Sequence, residues 1–513
     1  MKTLNKILLL IFVVSMMSCQ KNLNFADYNK LPQPKFWKTA ADAQAAITSC
    51  YGSFVSDWAY YDPNVLGPEE MASDETAKGS TANSQADLNA FIDYSFTPSF
   101  ARFANLWKSR YSTINLCNQV ITNVPNINMN QADKDQIIGE AKFMRAWDYF
   151  ELVKLFGAVP IYNGLPQSGA YDIPSSPIDS VYSFILKDLD WGYAHMRKTV
   201  WDNANKGRAT AWAARALEAK VLMYMASGAN FMPNKQPIDG KTWADVEQVT
   251  NDVINNGPYK LYTAKGDSSY FYLFRLQNEN CSESIFEIQA GASWTVGSVN
   301  GCAYALNQWI KGQDGGFGYS VPSDTLVAAW KARYKSQHDL RYKASVIWRG
   351  DTTVDGMVVQ GAPQLDGITG TPRYDYDVYV PHDQRSGIKG GYWMQQIEQN
   401  FRLFRYADVL LIDAEAKFMN GDIAGALISI NKVRERAGEP DLTAANLTLQ
   451  KIWDERRFEL AFSNDRYFDL IRTGQAQKVL GYRGWQYPKN VFYPIPQTQI
   501  DLSNGQLKQN PNW

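Results

Sequence analysis

The chain has 513 residues, 45% of them hydrophobic and 20% charged, with a net charge of −1 at pH 7. That balance offers neither the polyelectrolyte attraction that nucleic acid requires nor a basic face for anionic lipid, while the length allows a large core. The unusual component is aromatic: 16 Trp, 29 Tyr and 24 Phe are enough to supply flat apolar faces with polar rims, the surface that sugar rings and protein partners use.

Lys2 and Lys6 precede an apolar run from Ile7 to Met17, which ends in Ser18-Cys19. A membrane span needs about 20 apolar residues, so the run is too short, and a charged start followed by a short apolar stretch is the pattern of a secretory leader. Cys19 after the small Ser18 fits a bacterial lipobox. The reading is a lipoprotein signal peptide over 1–18, acylation of Cys19, and a lipidated tether over 19–35. At ~0.8 kcal/mol per buried CH₂, two or three acyl chains suffice for a lasting anchor. Cys50, Cys117, Cys281 and Cys302 are scattered, without a CxxC spacing, and are expected to be free and buried.

Helical periodicity follows. Thr39 is a plausible N-cap for a helix that places Ala43, Ala46, Ile47 and Cys50 on one stripe. A second stripe carries Phe103, Leu106, Trp107, Ile114, Asn118 and Ile121. A third carries Ile138, Ala141, Phe143, Ala146, Phe150 and Leu152 and stops at Gly157. Segments 100–155, 178–255 and 401–462 read as helix pairs. In the last, Ala414 and Ala426 lie twelve apart across a Gly-Asp turn, the small-residue separation that lets two tetratricopeptide-type helices cross closely. The fold class is therefore mainly α: a helical-repeat scaffold with a loop-rich region containing short strands. "ESIFEIQA" is one such strand, the surrounding 258–400 region is rich in Gly, aromatic and Asp residues, and the tail "VFYPIPQTQIDLSNGQLKQNPNW" reads as extended chain laid over the scaffold. The division is a helical part over 36–257 and a second part over 258–513.

The parts of an enzyme are not assembled by this sequence. His195, His338 and His382 are isolated, and no HExxH, GxSxG, GxxxxGK[ST] or GxGxxG motif occurs. Carboxylates adjacent in sequence, such as Glu69-Glu70, Asp74-Glu75 and Asp375/Asp377, do not show the separation across a cleft that glycoside hydrolysis requires. Neither a catalytic residue nor a metal or other cofactor is expected. Charged residues inside apolar stripes (Glu140, Arg145, Arg405, Glu415, Arg434, Arg466, Asp469 and Arg472) predict inter-helix ion pairs, because buried charge is costly unless paired.

The aromatic residues in Gly-rich or polar segments remain. Trp294, Trp309, Phe317, Tyr319, Tyr392 and Trp393 are demanded by no helix stripe, and Phe96 and Phe100 flank "SFTPSF". Interspersed with Asp, Asn and Gln they suit carbohydrate, whose C–H faces stack on rings while planar polar groups take the hydroxyls.

The chain resembles the SusD/RagB family of Bacteroidetes outer-membrane lipoproteins. The resemblance rests on "FWKTAADAQAAITSCYGSF", "MASDET", "WKSRYSTINLCNQVI", "GEAKFMRAWDYFELVKLFGAVPIY", "GRATAWAARALEAKVLMY", "ESIFEIQA", "FRYADVLLIDAEAKFMNGD", "RYFDLIRTG" and "YPIPQTQIDLSN" in the family's order. It implies a non-catalytic protein that captures oligosaccharide or polysaccharide and delivers it to a SusC-like TonB-dependent transporter, anchored in the cell outer membrane and exposed at the surface. The acidic stretch that exposed members carry after the cysteine is replaced here by Gln20-Lys21-Asn22. The resemblance places the glycan-contacting loops after the "SDE" segment and the "ESIFE" strand, here about Asp74 to Phe100 and Trp294 to Tyr319; within and beyond them, side-chain chemistry alone selects Asp74, Phe96, Phe100, Trp294, Trp309, Phe317, Tyr319 and Trp393 as ligand contacts. Relatives specialised for peptide uptake make a peptide- or protein-binding lipoprotein the alternative.

Overall fold

The computed structural model describes residues 36–59, 66–165, 172–228, 236–290, 303–310, 316–360, 372–384 and 399–513. Cys19, Trp294, Cys302, Tyr392 and Trp393 lie outside them, as do the leader and the tether. In chain order the main elements are α1 (Ala40–Ala59), β1 (Thr76–Lys78), α2 (Ala101–Asn123), α3 (Gln131–Phe156), α4 (Ile178–His195), α5 (Ala211–Ser227), α6 (Trp243–Asn256), β2 (Ser284–Ile288), β3 (Ser320–Pro322), α7 (Asp324–Gln337), β4 (Val346–Trp348), β5 (Arg373–Asp375), β6 (Phe401–Arg405), α8 (Tyr406–Met419), α9 (Ile423–Arg436), α10 (Leu449–Glu459) and α11 (Arg466–Arg472). Single helical turns connect several of them.

The helix ends follow local chemistry. Thr39 Oγ1 accepts from the Asp42 amide while Asp42 Oδ2 accepts from the Thr39 amide at 2.8 Å, a capping box that starts α1. Thr242 and Asp245 repeat the device on α6. Gly157 ends α3 at φ 73, a conformation that favours glycine. Gly421 turns the chain at φ 86 between α8 and α9, and the Asp422 side chain caps α9 through the Gly425 amide at 2.9 Å.

Each helix packs on the next: α1 on α2, α2 on α3, then α4, α5, α6, α8 and α9 in succession. Ala414 and Ala426, both fully buried, sit in the α8–α9 pair as their twelve-residue spacing predicted. α3 is enclosed by this row; from Gln136 to Phe156 only Lys142 is not buried. One hydrophobic core runs from Ala43 to Leu507 and so draws on both halves of the chain. A smaller core surrounds Trp309 and Tyr379, and a third surrounds Trp330. The strands form three two-stranded antiparallel sheets, β1–β3, β2–β6 and β4–β5.

The predicted ion pairs are present. Arg145 meets Asp188 at 2.7 Å, Arg208 meets Glu140 at 2.7 Å and Arg472 meets Glu415 at 2.7 Å. Arg405 bridges Glu283 and Glu459, and Arg434 bridges Glu439 and Glu455. Buried guanidinium groups are thus matched by carboxylates across helices, the arrangement that makes buried charge tolerable. Cys50, Cys117 and Cys281 are free thiols, the first two buried and Cys281 partly so.

The tail departs from expectation in one respect. It includes a short helix, Gln497–Leu502, where punctuation by Pro and Asn predicted extended chain alone. Pro496 precedes the helix as its N-cap, a place where a fixed φ is no hindrance, and no breaker follows until Ser503-Asn504-Gly505. The rest lies over the scaffold: the Tyr493 amide donates to Leu155 O at 2.8 Å, and Asn510 Nδ2 donates to Phe156 O at 2.9 Å.

Candidate functional site

The loop-rich face is built around the β1–β3 pair, which aligns Thr76 with Pro322 and Lys78 with Ser320. The Gly79 amide continues the pairing to Tyr319 O at 2.8 Å. A Cβ at Gly79 would lie 2.1 Å from Gly318 O, so only glycine allows this approach. Phe317 and Tyr319 emerge from the strand with rings stacked, centroids 5.1 Å apart and planes within 4°. Tyr319 is buried and Phe317 partly exposed. Lys78 Nζ lies 5.7 Å from the Tyr319 ring centroid, within the range of a cation–π contact. The result is a cluster of lysine, tyrosine and phenylalanine in which the Phe317 ring keeps partial exposure. Lys78 escaped notice because a lysine next to a glycine carries no signature until the opposite strand is known.

Below the platform lies a hydrogen-bonded carboxylate. Glu70 accepts from Tyr304 Oη and, at 2.9 Å, from Ser320 Oγ. Burial pushes its pKa up to about 7, against the lowering effect of those two donors. Burial likewise raises Glu75 to about 8, with Arg466 opposing it, and Asp377 to about 7, with Arg275 opposing it. Asp375, next to Asp377, is pushed above its ordinary range by burial and by that neighbour. The space beside Asp375 and Asp377 is only about 40 Å³, which leaves no cleft for a sugar between two carboxyls.

Asp74 is an interior residue, a correction to its assignment as a ligand contact. Arg466 Nε donates to Oδ1 at 2.8 Å and Arg457 Nη2 donates to Oδ2 at 2.8 Å. Burial would raise its pKa, but the two guanidinium groups hold it below the ordinary value. Its carbonyl accepts from Ser323 Oγ at 2.6 Å and Thr325 Oγ1 at 2.9 Å. The side chain therefore ties the start of β1 to α10 and α11, and the carbonyl ties it to the start of α7, with little access to solvent.

Three further candidates are interior as placed. Phe96, 4% exposed, packs on Phe103, Tyr493 and Trp513. Trp309, 2% exposed, packs on Tyr379 with centroids 4.5 Å apart. Tyr319 backs Phe317 as described. Phe100 is partly exposed but leans on Phe91 and Phe103. Thus Phe317 and Tyr319 come together, Phe96 and Phe100 belong to the aromatic cluster under the tail, and Trp309 belongs to the smaller core.

An open cavity lies elsewhere, between α2, Pro160 and Tyr162, Asp172 and Ile173, and the tail helix, with a volume of about 510 Å³. Among the described residues no helix is long and apolar enough to cross a membrane, and no group of three His, Cys, Asp or Glu side chains is placed to hold a metal ion. His195 stacks on Trp191, and His382 pairs with Asp355 at 2.9 Å.

The comparisons with known proteins agree with this architecture. Solved structures with the same arrangement include a laminarin binding SusD-like protein, with TM-score 0.78 at 23% identity over 93% of this chain and 100% of that one. Surface glycan-binding protein A from Bacteroides thetaiotaomicron, solved in complex with laminarihexaose, gives TM-score 0.74 at 23% identity over 92% and 100%. At these identities the likeness concerns the fold. SusD-like protein P25 of Formosa agariphila is 24% identical over 98% of this chain and 97% of its own length. A SusD-like protein of Bacteroides ovatus is 27% identical over 76% and 70%. A family model described as starch-binding and associating with the outer membrane matches residues 23–223. The SusD family model matches residues 282–513, and with the two models spanning most of the helical scaffold and the loop-rich face, the chain belongs to the SusD/RagB family.

Proposed function

We propose that this chain is a non-catalytic glycan-binding lipoprotein of the cell outer membrane, which holds oligosaccharide or polysaccharide on its aromatic loop face and hands it to a SusC-like TonB-dependent transporter. The observation that carries the reading is the Phe317–Tyr319 stack, with the Phe317 ring partly exposed and Lys78 against the Tyr319 ring. A rigid ring backed by a second ring stacks on a sugar with little loss of side-chain entropy. Trp294 and Trp393 belong to the proposed contact set on their sequence setting. Supporting likenesses are the laminarin binding SusD-like protein and the laminarihexaose complex named above.

The test is affinity electrophoresis and calorimetry on the mature protein with laminarin and a panel of neutral polysaccharides. Phe317→Ala is expected to weaken binding of the recognised glycan at least about tenfold, or ~1.4 kcal/mol, with Trp294→Ala and Trp393→Ala weakening it further. Retardation by no glycan, together with binding of a peptide digest, would replace the reading with the peptide-binding alternative. Release of reducing sugar on incubation would overturn its non-catalytic part. For the anchor, labelled fatty acid is expected to enter the wild type, and Cys19→Ser is expected to move the protein from the membrane fraction to the soluble one. Label that persists in Cys19→Ser would sink the assignment.

A further inference from the structure

We infer that the cavity between α2 and the tail helix is a second saccharide site, separate from the β1–β3 platform. The inference rests on the glycan-binding reading and extends it to a different face. At about 510 Å³ the cavity falls within the roughly 300–1,000 Å³ of small-molecule sites. Trp107 and Tyr111, one turn apart on α2, form one wall with ring centroids 5.1 Å apart. Tyr162 meets Tyr111 edge to face at 5.7 Å and 89°, turning the wall into a corner. Trp107 is nearly buried, while Tyr111 and Tyr162 are partly exposed.

The corner is held in place before any ligand arrives. Tyr111 Oη donates to Pro160 O at 2.8 Å, and the Tyr162 amide donates to Tyr149 Oη at 2.7 Å. Asn118 Nδ2 donates to Tyr162 O at 2.9 Å and to Gly164 O at 3.1 Å, and Asn118 Oδ1 accepts from Arg145. Arg145 is in turn fixed by Asp188. On the opposite rim Asn504 donates to Asp172, joining the tail to the chain just before α4. Rings locked in this way bind with little ordering cost.

The polar lining selects the ligand class. Ser112, Asn115 and Gln499 offer hydroxyl and amide groups at the opening. The two charged side chains lining it, Lys108 and Asp172, are of opposite sign. An anionic polymer would require an excess of cations; ring faces beside Ile114, Ile173, Leu502 and Leu507, with uncharged donors and acceptors at the opening, match the C–H faces and hydroxyls of a short stretch of neutral oligosaccharide. Two sites on one molecule would let a long glycan be held at two points, which raises retention without new contacts at either.

The test uses the full mature chain and a panel of neutral hexasaccharides led by laminarihexaose, titrated by calorimetry. Asn115→Trp and Ser112→Trp fill the cavity from exposed positions on α2, and an unchanged Tm verifies that each folds. Wild type is expected to bind the recognised hexasaccharide at two sites. Asn115→Trp or Ser112→Trp should leave one, Phe317→Ala should leave the other, and combining Asn115→Trp with Phe317→Ala should leave none. A single wild-type site that Phe317→Ala removes and both tryptophan variants spare would overturn the second site and leave the platform standing. Binding lost in Asn115→Trp and Ser112→Trp but retained in Phe317→Ala would keep the cavity and remove the platform. A panel with no binder overturns both.

Discussion

Asp74→Ala is expected to destabilise the protein by about 3 kcal/mol, because removal of one partner from a buried charge cluster leaves the others unpaired. The side chain of Asp74 is 6% exposed, and those of Arg457 and Arg466 are 14% and 10% exposed. Their slight access to water places the effect at the low end of the range for such losses. The hydroxyl links from Ser323 and Thr325 to the Asp74 carbonyl would remain, so the damage should concentrate at the junction of β1 with α10 and α11. Chemical unfolding measures the stability, and hydrogen exchange at residues 74–80 locates the loss. Asp74→Asn is the sharper variant. If Asp74 is a positioning residue, glycan affinity should fall only as stability falls. Glycan affinity lost at unchanged stability would mean that the carboxylate touches the ligand.

Stability is expected to decline between pH 5 and pH 8. Glu70 is raised from 4.5 to about 7, Glu75 to about 8 and Asp377 to about 7, burial being the main cause in each. Within that window the folded protein holds protons on these groups that the unfolded chain has released. By linkage, stability then falls as pH rises, and the loss is complete once pH passes the folded values. For Glu70 alone the displacement is worth at most roughly 3 kcal/mol, at about 1.36 kcal/mol per pH unit. Asp74, Glu455 and Asp469 behave in the opposite sense. Burial opposes their ionisation, but arginines hold them below their ordinary values, so their contribution is already complete at pH 5 and is lost only in acid. Urea titrations at pH 5, 6, 7 and 8 read the slope, and Glu70→Gln should flatten it. A wild-type stability that is level or rising over that range contradicts the assignment.

The helical half of the molecule was legible because its signals are local. The Thr39 cap, the stop at Gly157 and the Ala414–Ala426 crossing each depend on residues no more than about a dozen positions apart in sequence. The ion pairs were legible in kind, since a charge inside an apolar stripe must find a partner. The partners themselves were not: those of Asp74 lie 383 and 392 residues further along the chain. A carboxylate in a loop between aromatic segments reads as a ligand contact until those arginines are placed beside it. The same holds for Trp309, enclosed by Tyr379 from a separate loop, and for β1 and β3, each three residues long and too short to show a period. The corner of the α2 cavity was not legible: Trp107 lies on the core stripe and is buried there, and nothing nearby in sequence announces that Tyr162 meets Tyr111.

The pairing of β1 with β3 joins residues 76–78 to residues 320–322, with the intervening helices folded between them. Such a distant closure is slow to find, and neither portion of the chain can assemble the Phe317 layer by itself. Assembly of that layer is therefore expected late in folding, and a chain cut between the two strands is expected to lack it.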